Sequence, residues 1–378
     1  MIKLSKQGAE KIAKEYNLGI IKSLKPFSGG WVNYNYDLET ESGSYVVRVL
    51  GLSITKDTKK RLASEFKVLS ALHKNNFPYA IPYPLKNKEG SYLASIGKTI
   101  LWVYPKIKGT HIKHYDNENI KSIVHSLATY HKYVKNIKIT NNRNIDSPKK
   151  LLEKYREMRK QKSDSERNKL MLNNIDLFEK CLNKMKNINF EINKLPIHYD
   201  FHKGNLLFNK NKVIGILDFE RMLYAPRILD IAQLIKCTYD HGEKKFINKV
   251  NLILNEYNKI NPLTKKERVQ VLLMLAKDNC RMFERFYVLA GSNTFKAGKE
   301  GELSCLKWTI DVQKNVASFL YRTSERDAKP DDKETLPDEA HLELENYRLK
   351  NEGLWSKDIN GYKERGSDWD IKLKEFGI

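Results

Sequence analysis

Apolar positions change their period along this chain, and the changes divide it. Between residues 27 and 50 the period is two. Tyr34, Tyr36 and Leu38 alternate with polar residues, Glu41-Ser42-Gly43-Ser44 supplies a turn, and the strand-forming run Tyr45-Val46-Val47 follows, which predicts a hairpin. Over 58–73 the period lengthens to that of a helix, with Leu62, Phe66, Leu69 and Leu72 on one stripe. The Pro-rich stretch 78–84 must be extended or looped, and strands are expected at 91–96 and 98–104. Residues 1–19 read as a short polar helix. Sheet, one helix and more sheet make a small N-terminal lobe ending near Tyr104.

After Gly109 the pattern turns helical. Ile123, Leu127 and Tyr130 share one stripe of a helix over 120–134, and two strongly charged helices follow at 148–161 and 166–186. A short strand pair is expected within 196–219, then helices at 228–239, 245–259, 264–289 and 302–321. The third of these opens on Thr264-Lys265-Lys266-Glu267, the pattern of a capping box. From Tyr321 onward the chain carries 11 Lys or Arg against 15 Asp or Glu, a net of −4 that leaves +26 on the rest. Residues 323–337 have the composition of a linker, while Trp355, Tyr362 and Trp369 are too apolar for pure disorder and argue for a tail that docks. The expected organisation is therefore α+β: an N-lobe over 1–104, a larger helical C-lobe over 105–321, and an acidic extension over 322–378.

Composition narrows the function classes. Hydrophobic residues make up 40% of the chain, enough for a globular core, and no apolar run is long enough to cross a bilayer. The N-terminal stretch lacks the apolar segment of a signal peptide. Cys181, Cys237, Cys280 and Cys305 are scattered without a Cys-x-x-Cys pair, which argues against a disulfide framework and a zinc site. His111, His114, His125 and His131 lack a matching ligand pattern and read as ordinary helix and loop residues. A cytoplasmic protein without membrane insertion is expected. The net charge of +22 would suit nucleic acid, but Lys, Asn, Ile and Tyr are abundant together, as AT-rich codons dictate. The Lys residues are spread out and no nucleic-acid-binding motif is present, so none is expected as partner.

The chemistry concentrates in Ile197-His198-Tyr199-Asp200-Phe201-His202-Lys203-Gly204-Asn205, followed by Gly215-Ile216-Leu217-Asp218-Phe219-Glu220. Phosphoryl transfer needs a carboxylate at the acceptor hydroxyl and oxygen ligands for the metal ions that bridge the phosphates of ATP. An Asp and an Asn five positions apart on one loop suit both tasks, and a second Asp eighteen positions on completes a metal site. Asp-x4-Asn alone is a weak pattern. Its place after an apolar strand, with an apolar Asp-Phe to follow, is far more specific.

These residues resemble the aminoglycoside phosphotransferase family, with its choline-kinase-like and type II homoserine-kinase-like relatives, whose members carry His-Gly-Asp-x4-Asn and a later Ile-Asp-Phe or Ile-Asp-Trp. The resemblance implies a bilobal protein-kinase-like fold, Asp200 as catalytic carboxylate, and Asn205 and Asp218 as Mg2+ ligands. It implies ATP or GTP as phosphoryl donor and a small-molecule alcohol as acceptor: an antibiotic, amino alcohol, amino acid or sugar. Phe27 to Tyr36 looks like the family's phosphate-covering loop, with Ser28, Gly29 and Gly30 at the phosphates, where glycine admits close backbone approach. Arg48 stands where the family places a basic residue, with Glu65 on the next helix as its acidic partner. Leu101-Trp102-Val103-Tyr104-Pro105 looks like the hinge, with Val103 and Tyr104 at adenine. Leu127 to His131, and the segment from Pro226 carrying Asp230, match further family patterns. The likeness covers residues 20 to about 320 and stops at the tail.

Three positions depart from the pattern. Arg48, a planar fork, replaces the Lys of protein kinases. Tyr199 replaces the usual Gly before Asp200. His202, two residues after it, is expected either to contact the γ-phosphate or to serve as a hydrogen-bonded structural residue. Ala225-Pro226-Arg227 follows Asp218 by only seven residues, which leaves no room for the activation segment of a protein kinase. A degenerate, non-catalytic binding protein of the same fold, of the spore-coat kind, is the alternative. On the helix at 264–289, Asp278, Arg281 and Arg285 share a face and are the candidate acceptor contacts. Their charge argues against a polycationic acceptor.

Overall fold

In the computed structural model, residues 4–27, 33–50, 55–97, 99–140, 146–160, 165–190, 192–239, 246–288 and 298–326 are described. They fall into two compact units. One comprises residues 1–143 with 195–225, the other 144–194 with 226–378.

The first unit is built on a five-stranded antiparallel sheet. Its strands are β1 (Ile21–Pro26), β2 (Asn33–Thr40), β3 (Ser44–Leu50), β4 (Ala94–Ile96) and β5 (Thr99–Pro105), in the order β1-β2-β3-β5-β4. The expected hairpin is β2–β3, in unbroken register from Asn33↔Leu50 to Glu39↔Ser44. Alternation sends Tyr36, Leu38, Val47, Val49, Leu101 and Val103 to one face, where they meet Ile12, Ala13 and Tyr16 of helix α1 (Lys6–Glu15) and its following turn. The other face therefore receives Asn33, Arg48 and Trp102. Helix α2 (Lys56–Lys74) lies there: Phe66 meets Trp102 edge-on at 5.4 Å, and Arg48 lies 5.8 Å from the same indole.

Helix α3 (Asn117–Val134) starts on a capping box between Asp116 and Asn119. β6 (Lys194–Ile197) pairs with β9 (Leu223–Pro226), and β7 (Leu206–Asn209) with β8 (Lys212–Ile216). The β7–β8 hairpin is stitched to the segments before β4 and after β5. Ala80 exchanges hydrogen bonds with Ile214 and Ile216 (2.9 Å each), and Thr110 with Phe208 (2.8 and 3.0 Å). Gly109 is required at this approach, because a Cβ there would stand 2.9 Å from Leu207 Cβ. These bonds are why the loop carrying Asp200 groups with the sheet.

The second unit is helical: α4 (Pro148–Arg159), α5 (Glu166–Met185), α6 (Ile228–Cys237), α7 (Phe246–Ile260), α8 (Lys265–Val288) and α9 (Gly298–Arg326). The central helix α8 packs against α4, α5, α6 and α9. Phe283 stacks on Phe178 at 3.9 Å, and the Tyr155 hydroxyl donates to the Cys280 carbonyl at 2.7 Å. The last helix runs to Arg326, into the stretch read as linker. The rest of the expected extension lies outside the described residues.

The capping box at α8 forms, and its glutamate does more than cap. Thr264 N donates to Glu267 Oε2 at 2.8 Å and Glu267 N to Thr264 Oγ1 at 3.2 Å, while Arg227 grips the buried carboxylate with two bonds of 2.6 and 2.8 Å. Burial works to raise this carboxyl, but the Arg227 and Thr264 donors hold it at about 2. A depressed carboxyl stabilises the fold above its unfolded value and loses that contribution as pH falls towards the folded one. Glu267→Gln is expected to cost about 3 kcal/mol at pH 7. In urea unfolding the gap to the wild type should narrow as pH is lowered from about 5 towards 3.

Candidate active site

The loop after β6 and the turn after β8 are cross-braced before any ligand arrives. Asn205 Nδ2 donates to both the main-chain oxygen and Oδ2 of Asp200, each at 2.9 Å. Leu217 N donates to Asn205 O at 2.8 Å, and the buried His198 gives its Nε2 proton to Leu217 O at 2.9 Å. Asp200, Asn205 and the residue before Asp218 thus belong to one hydrogen-bonded ladder, and their 5- and 18-residue offsets become a single site. Tyr130 of α3 supports it from beneath, its hydroxyl on Pro196 O at 2.9 Å and its ring edge-on to Phe219.

Two side chains here sit on left-handed backbone, Tyr199 at φ 63° and Asp218 at φ 60°. That conformation is costly for a residue with a Cβ. It accounts for the glycine that the family pattern has in place of Tyr199.

Arg48 reaches this site from β3. Its Nη2 donates to Asp218 Oδ1 at 2.9 Å and to Glu220 Oε2 at 2.6 Å, and Asn33 Nδ2 also bonds Glu220 Oε2. Burial works against the Asp218 charge, but the guanidinium outweighs it and leaves the carboxyl below its ordinary value. The same carboxylates hold Arg48 well above its ordinary range against the cost of burial. The expected Arg48–Glu65 ion pair is therefore replaced by Arg48–Asp218 and Arg48–Glu220. Glu65 stays beside the guanidinium on a small cavity lined also by Asn33, Thr58, Arg61 and Glu220, and its Oε1 has no hydrogen-bond partner. Burial raises the Glu65 carboxyl to about 7, with Arg48 only partly offsetting it.

The other expectations distribute as follows. His202 accepts the Gly204 amide on Nδ1 at 3.0 Å, so its proton is on Nε2, 3.6 Å from Asp200 Oδ1. It caps the 3-10 turn Lys203–Asn205. Val103 lies in the sheet core with its carbonyl already taken by Leu85 N at 2.8 Å. Burial pushes the neighbouring Tyr104 phenol up to about 12. Ser28, Gly29 and Gly30 lie outside the described residues. In the helical unit, Arg281 bonds the buried Asp278 at 3.0 and 3.1 Å, beside Lys236, whose ammonium burial lowers to about 8. Sequence reasoning quoted Asn33 and Glu220 within motifs without giving them a role, and it passed over Arg221. Arg221 Nη1 stands 3.5 Å from Asp200 Oδ1, with its guanidinium 5.7 Å from the Tyr199 ring. The charged pair Glu220-Arg221 directly after Asp218-Phe219 was the available signal.

The chain is similar to known phosphotransferases and kinases in sequence and in fold. The model of a family described as a phosphotransferase enzyme family matches residues 23–250. A homoserine kinase of Methylobacillus flagellatus is 24% identical over 266 residues, covering 67% of this chain and 76% of that protein. A spectinomycin phosphotransferase solved with ADP and spectinomycin superposes with a TM-score of 0.60 at 14% identity, over 84% of this chain and 99% of that one. A microcompartment-associated aminopropanol kinase does so with 0.60 at 13% identity, over 83% and 98%. The shared fold is the α+β, protein-kinase-like one expected above.

Glu65 offers a test of the charge balance. Because its folded value lies above the ordinary 4.5, its favourable contribution is complete below that value and is lost as pH rises through about 7. Glu65→Gln removes the titration. Its stability relative to the wild type should improve by about 3 kcal/mol between pH 4.5 and pH 8 in urea unfolding. A gap independent of pH would show that Glu65 is not raised.

Proposed function

Because the chain belongs to the phosphotransferase enzyme family, we propose that it is a small-molecule kinase, moving the γ-phosphoryl group of ATP to a hydroxyl with Mg2+ as cofactor. The observation that carries this reading is the ladder that ties Asp200, Asn205 and the Asp218 turn together without a ligand. Phosphoryl transfer asks little covalent chemistry of a protein and depends on positioning and charge. Asp200 accepts the acceptor's hydroxyl proton as the new O–P bond forms and the bond to the bridging oxygen of ADP breaks. Asn205, whose amide NH2 is spent on Asp200, aims that carboxylate.

The donor set suits Mg2+. Asn205 Oδ1 and Asp218 Oδ2 are hard oxygens with no hydrogen bond among the described residues, and Mg2+ in kinases takes one or two such protein ligands beside phosphate and water. Held by these two oxygens, it would supply positive charge against the phosphoryl donor. Arg48 then serves the α- and β-phosphates, for which it must loosen its hold on Asp218. Glu220, bonded to the guanidinium at 2.6 Å, keeps it paired when it does so, and the charge of Glu65 lies close by.

The similar proteins are kinases named for homoserine and aminopropanol and a phosphotransferase named for spectinomycin. For this chain a small alcohol of the hydroxy amino acid kind is the reading that agrees with the homoserine kinases. Asp278, Arg281 and Arg285 are additional candidates for acceptor contact, and Asp278 and Arg281 would have to exchange their mutual pair for it.

Asp200→Asn is expected to lower kcat by at least about a thousandfold with ATP binding nearly unchanged, and Asp218→Asn to weaken Mg-ATP binding. Coupled-assay turnover and calorimetric titration with a non-hydrolysable ATP analogue separate the two. Wild-type turnover by Asp200→Asn would remove Asp200 from the mechanism.

A further inference from the structure

We infer that Arg221 recognises a carboxylate on the acceptor, and that by doing so it uncovers the Asp200 oxygen that the acceptor's hydroxyl must reach. The inference rests on the kinase reading and adds to it the charge of the acceptor and the residue that selects for it.

The two oxygens of Asp200 are not equivalent. Oδ2 accepts from Asn205 at 2.9 Å, while among the described residues Oδ1 has two long contacts, to Arg221 Nη1 at 3.5 Å and His202 Nε2 at 3.6 Å. Oδ1 is therefore the oxygen left for a hydroxyl proton, and Arg221 stands at it. At 3.5 Å a guanidinium bond is at the edge of the useful range. A carboxylate offering two parallel acceptors is a far better partner for a planar fork.

The surroundings hold Arg221 where an acceptor arrives. Its guanidinium lies 5.7 Å from the centroid of the Tyr199 ring, within cation–π reach, and its side chain remains 22% exposed. Tyr199 occupies a backbone position of φ 63°, where glycine carries no penalty. A large aromatic residue kept on such backbone, and buried to 6% exposure, serves as the platform for the cation beside the base.

Acceptor charge then decides what happens at Oδ1. A hydroxy acid draws the guanidinium to its carboxylate, and its own hydroxyl takes the vacated place on Oδ1. A neutral alcohol supplies no partner, so Arg221 stays on the oxygen it needs. A polycation meets a like charge at the point of attack, which costs binding and selectivity.

The experiment compares acceptors that differ only in this charge. L-homoserine with L-homoserinamide, L-serine with L-serinamide, and glycerate with glyceramide are assayed with Mg-ATP on the wild type, Arg221→Gln and Arg221→Lys. For whichever pair is turned over, the wild type should favour the carboxylate in kcat/KM by about 10- to 100-fold, the worth of a charged hydrogen-bonded contact. Arg221→Gln should bring that ratio close to one, and Arg221→Lys should restore part of it. A wild-type ratio near one overturns the inference while leaving the kinase reading intact. So does an Arg221→Gln protein that loses both members of a pair equally, or only raises the KM for ATP, since either places the guanidinium at the phosphates. If no member of any pair is phosphorylated while a neutral or cationic alcohol such as aminopropanol is, this inference falls and the kinase reading stands.

Discussion

One guanidinium on the inner face of a sheet holds the candidate site together. Arg48 lies in the middle strand of the five, is 5% exposed, and is bonded to Asp218 and Glu220 with Glu65 close by. Removing a guanidinium from water costs several kcal/mol unless carboxylates replace the solvent. Asp218 and Glu220 supply that replacement, so the turn that carries them is tied to β3. Asn33 at the start of β2 fastens the same Glu220 oxygen. Removing Arg48 would leave Glu65 and Glu220 on a small cavity where Arg61 is the remaining cation among its lining residues. The same arrangement explains why Glu65, left without a direct bond to the guanidinium, is the member of the group that tends towards neutrality.

Around that centre the chain tolerates local strain where the chemistry is expected. Tyr199 and Asp218 both adopt left-handed backbone, and they flank the ladder through Asn205, Leu217 and His198. A conformation of this kind persists only where neighbouring bonds over-determine it. Here the bonds come from His198 beneath, from the β7–β8 hairpin and from Tyr130 of α3. Rigidity of this sort suits a reaction governed by placement, because the carboxylate at the acceptor and the oxygens for the cation keep their spacing without a ligand to arrange them.

Charge is used differently in the two units. The helical unit commits its interior ions to internal pairs, Arg227 with Glu267 and Arg281 with Asp278, which set the start of α8 and its packing. In the unit with the sheet, the cations Arg48 and Arg221 stand against the carboxylates of the candidate site. The large positive net charge of the chain is no guide to either role, since its Lys and Arg residues are spread along the sequence.

Much of this architecture was legible in the order of residues. Periodicity is a local property, so the β2–β3 hairpin, α2, α3 and the order of later helices followed from it, and the capping box at Thr264 was readable because its partners are three residues apart. Asp200 and Asn205 are five residues apart on one loop, and their pairing was equally accessible. The sequence could not choose a partner for Arg48. Glu65 is seventeen residues away, Asp218 and Glu220 are 170 and 172, and all three are carboxylates. Coulomb attraction and hydrogen-bond geometry discriminate over ångströms, so the choice depended on where the turn after β8 comes to lie beside β3. The same holds for Arg221, which is unremarkable as a letter beside Glu220 and acquires meaning only at 3.5 Å from Oδ1 of Asp200. Local pattern determined which elements form; the contacts between distant segments, set by folding alone, decided which charges meet.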